Sequence, residues 1–95
     1  MNKQVAKRVI DDIHKVPIFE RHILKGGGYI GDAHIFSIMT FSDSIEVLVD
    51  IRKNVFDKAL DKFVKEHEDV LRFAYFVSGE GFIPYLRFAV KKAYQ

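Results

Sequence analysis

The 95-residue chain has no cysteine and no tryptophan, and only two prolines and two methionines. Without cysteine there is neither a disulfide framework nor a thiolate metal site. Residues 1–30 contain no unbroken apolar stretch of signal-peptide or membrane-span length, so a soluble, cytoplasmic protein is the expectation. Asn and Gln together number four, against abundant Lys, Arg, Asp and Glu, a tilt seen in thermophile proteins. Net charge is +2, too small to name a partner. No internal repeat is present, and glycine clusters in one place, Gly26, Gly27, Gly28 and Gly31.

Apolar content is ample: 48% of residues are hydrophobic and 14% aromatic, with nine Phe and four Tyr. That excludes a disordered tail and suits a single domain over residues 1–95 with one core. Charge is unevenly spread, with basic segments at 1–31 and 70–95 around an acidic middle at 32–69. Such a pattern attracts a polyanion or is neutralised within one chain or a dimer.

The clearest periodic segment is Asn54 to Asp69. Val55, Phe56, Ala59, Leu60, Phe63, Val64 and His67 recur at steps of three and four, with charged residues on the opposite arc. This predicts an amphipathic helix with Asn54 as N-cap. A second stripe, Val5, Val9, Ile10, Ile13 and Val16, predicts an N-terminal helix ending before Pro17, with Lys7–Asp11 and Arg8–Asp12 as i,i+4 pairs. Residues 18–25 fit either a short second helix, slightly favoured, or a strand entering the glycine turn.

Residues 33–41 are apolar in both alternating phases, as are 70–77 and much of 82–90. Ile45, Val47, Val49 and Ile51 instead alternate with wetter positions. Ser42-Asp43-Ser44 and Ser78-Gly79-Glu80-Gly81 have turn chemistry, and Pro84 predicts a strand start, an edge or a bulge. The predicted fold is therefore α+β. A small antiparallel sheet of four strands, or five, forms two hairpins, with the N-terminal helix and the central crossover helix packed on one face.

Three strands apolar on both sides are more than two helices cover. The uncovered side calls for a partner, most simply a second copy of the chain, unless residues 18–25 fold over it. Phe36, Ile38, Phe73, Tyr75 and Tyr85 are the candidate self-association residues of such a homodimer. The leading functional expectation is a non-enzymatic interaction protein with no cofactor, open to a protein partner.

Nucleic-acid binding is the runner-up, through Lys3, Lys7, Arg8, Arg21, Lys25, Arg87, Lys91 and Lys92 with tyrosines for stacking. No RNP-type or helix-turn-helix motif supports it. Catalysis or metal binding comes third, centred on Asp32 with His34 on one strand face, or on Asp11 with His14 on one helix face. The glycine run matches no phosphate-loop spacing. His67 reads as a partly buried, hydrogen-bonded residue. The acids Glu66, Glu68 and Asp69 oppose the helix dipole there, and Arg87, Lys91 or Lys92 are the expected neutralising partners. The pattern of helices and hairpins is generic, and fold class alone licenses no function.

Overall fold

The computed structural model describes residues 1–19, 22–23, 25–26, 29–30, 33–51, 56–78, 81 and 84–95. Helix α1 spans Lys3–Ile13 and is followed by a 3-10 turn at Pro17–Phe19. Strands β1 (His22–Ile23) and β2 (Tyr29–Ile30) come next, then β3 (Ala33–Thr40) and β4 (Ser44–Ile51). Helix α2 (Phe56–Glu66) leads to β5 (Leu71–Val77) and β6 (Tyr85–Val90), and a 3-10 turn at Lys92–Tyr94 closes the chain.

Asn2 caps α1: its Oδ1 accepts from the amides of Gln4 and Val5, at 2.9 and 3.1 Å. These are two of the four amides that a helix start leaves without a partner. Val5, Val9 and Ile13 form the buried stripe. The ambiguous segment is neither a second α-helix nor a fifth strand of the main sheet. After the 3-10 turn, His22–Ile23 pairs antiparallel with Tyr29–Ile30 as a separate two-stranded sheet. Gly26 lies in the connection with φ +96°, a conformation that favours glycine.

The main sheet has four antiparallel strands in the order β3–β4–β6–β5. Its two hairpins, β3–β4 and β5–β6, meet at β4–β6. Strands β4 and β5 run the same way without being neighbours, so α2 is the crossover between them. The expected cap Asn54 and the adjacent Val55 lie outside the described residues. Pro84 directly precedes β6, and its carbonyl accepts from the Val49 amide at 3.1 Å.

One buried cluster unites the elements. It takes Val5, Val9 and Ile13 from α1, Leu60 and Phe63 from α2, Ile45, Val47 and Val49 from β4, and Leu86, Phe88 and Val90 from β6. On β4 and β6 these are alternate residues, as a strand's period of two requires. Phe63 meets Phe88 edge-on, 5.2 Å between ring centroids. Full burial of each such side chain is worth about 1.5–3 kcal/mol, so this layer carries most of the fold's stability.

The basic C-terminal residues fold back rather than trailing. The Asn2 amide donates to the Tyr94 carbonyl at 2.8 Å, and Lys91 N–H to the Val70 carbonyl at 2.8 Å. Ser44 is fully buried, and its Oγ has no hydrogen-bond partner among the described residues. An orphaned hydroxyl of this kind costs about 1–3 kcal/mol.

Candidate functional site

Cross-strand partners in a sheet share a face, so the register defines two sides. The side holding the buried cluster includes the pairs Val47↔Leu86 and Ile45↔Phe88. The opposite side is built from rows that cross the sheet. One runs Tyr75↔Arg87, Arg87↔Glu46 and Glu46↔Met39; the next runs Val77↔Tyr85, Tyr85↔Leu48 and Leu48↔Ser37. Phe36 is 62% exposed, Phe73 46%, Met39 41% and Tyr75 41%.

Two irregularities explain why β3 and β5 read as apolar in both phases. Pairing of β3 with β4 skips Phe36, and pairing of β5 with β6 skips Arg72. A bulge shifts the alternation by one residue. Ile35 and Ile38 thus both join the core side, opposite Val49 and Val47, and are half-buried against the cluster. Phe36 is left between them with its ring edge-on to His34 at 4.7 Å. On β5, Ala74 and Phe76 share the core side, while Phe73 and Tyr75 stack on the other, their ring centroids 6.0 Å apart. Of the five residues expected at a self-association surface, Phe36, Phe73 and Tyr75 are exposed. Tyr85 is half-buried in the same open rows, and Ile38 lies on the core side.

Charge in the middle of these rows is paired. Arg87 donates to Glu46 at 2.9 Å and lies 3.5 Å from Asp43. Arg87 therefore neutralises acids of β4 and its turn, not those at the end of α2.

The helix-end acids find other partners. Arg8 forms a two-pronged bond to Asp69, and Lys62 lies 3.9 Å from Glu66. The bond to Arg8 holds the Asp69 carboxyl below the usual range. Lys7–Asp11 forms as the sequence predicts, at 2.9 Å, whereas Arg8 leaves Asp12 for Asp69.

Asp12 turns to His67 instead. Its Oδ2 lies 2.7 Å from Nε2 of His67, whose Nδ1 lies 2.8 Å from the Phe63 carbonyl oxygen. A carbonyl only accepts, so Nδ1 carries a proton. The His67 hydrogen bond holds the Asp12 carboxyl below its usual range, with burial opposing. The His67 ring is 4% exposed and stacks on Phe63 at 4.1 Å. Sequence reasoning identified His67 as hydrogen-bonded but missed Asp12. The available signal was an imidazole closing an apolar stripe, which needs a polar partner from another element.

The remaining candidates do not assemble. Asp32 and Arg21 lie outside the described residues, and His34 sits in register with Asp50. Asp11 is paired with Lys7, and His14 is exposed at the end of α1. Among the described residues there is no group of three or more His, Cys, Asp or Glu able to hold a metal, and no helix long and apolar enough to cross a membrane. Lys3, Lys25, Lys91 and Lys92 are exposed, while Lys7, Arg8 and Arg87 are each engaged by an acid. Comparison with protein-family models, with curated proteins and with solved structures finds no match.

Proposed function

We propose that this is a non-enzymatic interaction protein that pairs with a second copy of itself through the sheet side bearing Phe36, Met39, Phe73 and Tyr75. In this reading α1 and α2 cover the core side and the other side is left to the partner. The observation that carries it is the exposure of those four side chains, 41–62%, in two pairs on the edge strands β3 and β5. Half-buried Leu48 and Tyr85 lie between them on β4 and β6, and large apolar side chains exposed across one side of a sheet mark an interaction surface.

Two further features support it. Phe19, at the start of the segment that could have folded over the open side, packs instead against the buried cluster. Arg87 pairs with Glu46 between the two edges and lies near Asp43 of the turn, leaving only one net negative charge, which suits an identical surface better than a strongly charged partner.

Nucleic-acid binding has less support. The bond between Asn2 and Tyr94 brings Lys3 toward Lys91 and Lys92, but three of the other candidate cations are already paired with acids.

Sedimentation equilibrium at micromolar concentration tests the proposal. The expected mass is twice that of the chain, falling to one chain in Phe73→Glu with circular dichroism unchanged. A wild-type monomer at every concentration overturns it. Oligonucleotide retention that falls steeply with salt, from such a monomer, points to the runner-up.

A further inference from the structure

The two helices do not close on each other along their whole length. Between them lies a cleft of about 670 Å³, within the roughly 300–1,000 Å³ of small-molecule sites. One wall is the ridge Arg8, Asp12 and Lys15; the other is Lys58, Lys62 and Glu66, one turn apart on α2. Phe63, Ala59, Val16 and Pro17 supply apolar lining. The Asp12–His67 bond ties the walls at one end, beside Glu66.

Bases outnumber acids along this cleft, Arg8, Lys15, Lys58 and Lys62 against Asp12 and Glu66. The acids Asp12 and Glu66 lie toward the His67 end. Lys58 and Lys62 lie on the turns of α2 away from it, and Lys15 borders Val16 and Pro17. Lys15 and Lys62 hold their acids only at 3.7 and 3.9 Å. Lys58 makes no ion pair among the described residues, although it is exposed beside the apolar lining. Weakly engaged ammonium groups next to an apolar surface complement a molecule with an anionic head and an apolar body.

We propose that the cleft between α1 and α2 binds a small amphipathic anion. The acid group meets Lys58, Lys62 and Lys15, and the apolar part lies over Phe63, Ala59 and Pro17. This site is separate from the open sheet side and does not depend on pairing of two copies.

Two probes sharing one body test it: naphthalene-2-carboxylate and naphthalen-2-ylmethylammonium, titrated into the full chain while backbone amide resonances are followed. The carboxylate is expected to shift amides of α2 and of residues 12–17. The ammonium compound is expected to bind at least about threefold more weakly, since exposed charge contacts are individually modest. Lys58→Glu, a substitution at an exposed position, is expected to weaken carboxylate binding by a similar factor or more. Ala59→Trp is expected to block it by filling the floor. The same shifts are expected in Phe73→Glu. Equal binding of both probes, indifference to Lys58→Glu, or shifts confined to β3 and β5 would each overturn the proposal.

Discussion

Asp12 shows how much one side chain does when its partner is far away in sequence. Its local position, four residues after Arg8, suggests a surface ion pair, yet it bonds a ring nitrogen of a residue 55 positions on. The consequence for pH follows from its lowered pKa. A carboxyl more acidic in the folded than in the unfolded chain contributes stability fully above the unfolded value, near 3.9. That contribution is lost as pH falls through the folded value. Asp69, held down by Arg8, acts with the same sign but from an exposed position, where solvent screens it. Asp12→Asn is therefore expected to lose stability less steeply than wild type as pH falls from about 5 to below the ordinary carboxylate value near 3.9. Urea midpoints at the two ends measure the slope, and equal slopes would contradict the assignment. Only helical phase distinguishes Asp12 from Asp11 in the local sequence. Asp11 stays with Lys7 because its helical position faces solvent, and Asp12 faces α2.

At the scale of elements, periodicity was the dependable signal. The stripe of α2 and the alternation of β4 each correspond to a buried row, because burial on one side leaves the period visible. Strands β3 and β5 defeat that logic, since the bulges at Phe36 and Arg72 place both phases of each strand partly inward. The phase change accounts for Ile35 with Ile38 and for Leu71 with Ala74 and Phe76, while Met39, Phe73 and Tyr75 remain apolar on the open side. Residues 18–25 were undecidable for another reason. Pro17 fits a helix start, but the pairing of His22–Ile23 with Tyr29–Ile30 is set by a turn that includes Gly26, not by local propensity. The α1 cap also went unread, because Asn2 stands before the first apolar position rather than beside a capping-box acid. Asn2→Ala is expected to cost about 1 kcal/mol, within the range for lost N-caps. Thermal or urea unfolding measures it, and Asn2→Asp, which retains an acceptor, is expected to restore most of the loss.

At the scale of the whole molecule, the antiparallel α+β class and the two hairpins were legible, while the strand order was not. Turn chemistry identifies neighbours in sequence, but no local signal says that β4 meets β6 across α2 and β5. The acid-and-base pattern was legible as a pattern and not as contacts. The acidic end of α2 is answered by Arg8 from α1 and Lys62 from α2 itself, while Arg87 serves Glu46 and Asp43. Such choices depend on packing that composition does not encode.

The β4–β6 register joins Ser44 to Ala89 and Leu48 to Tyr85. Each hairpin assembles from residues close in sequence, whereas this central joint waits for a long loop to close. Val47→Ala, at the joint, is accordingly expected to speed unfolding more than it slows refolding in stopped-flow measurements. A joint that closes late also accepts a matching hairpin from a neighbouring chain. Refolding at high concentration is expected to yield interlocked pairs that persist in Phe73→Glu and come apart only on unfolding, unlike pairs held face to face.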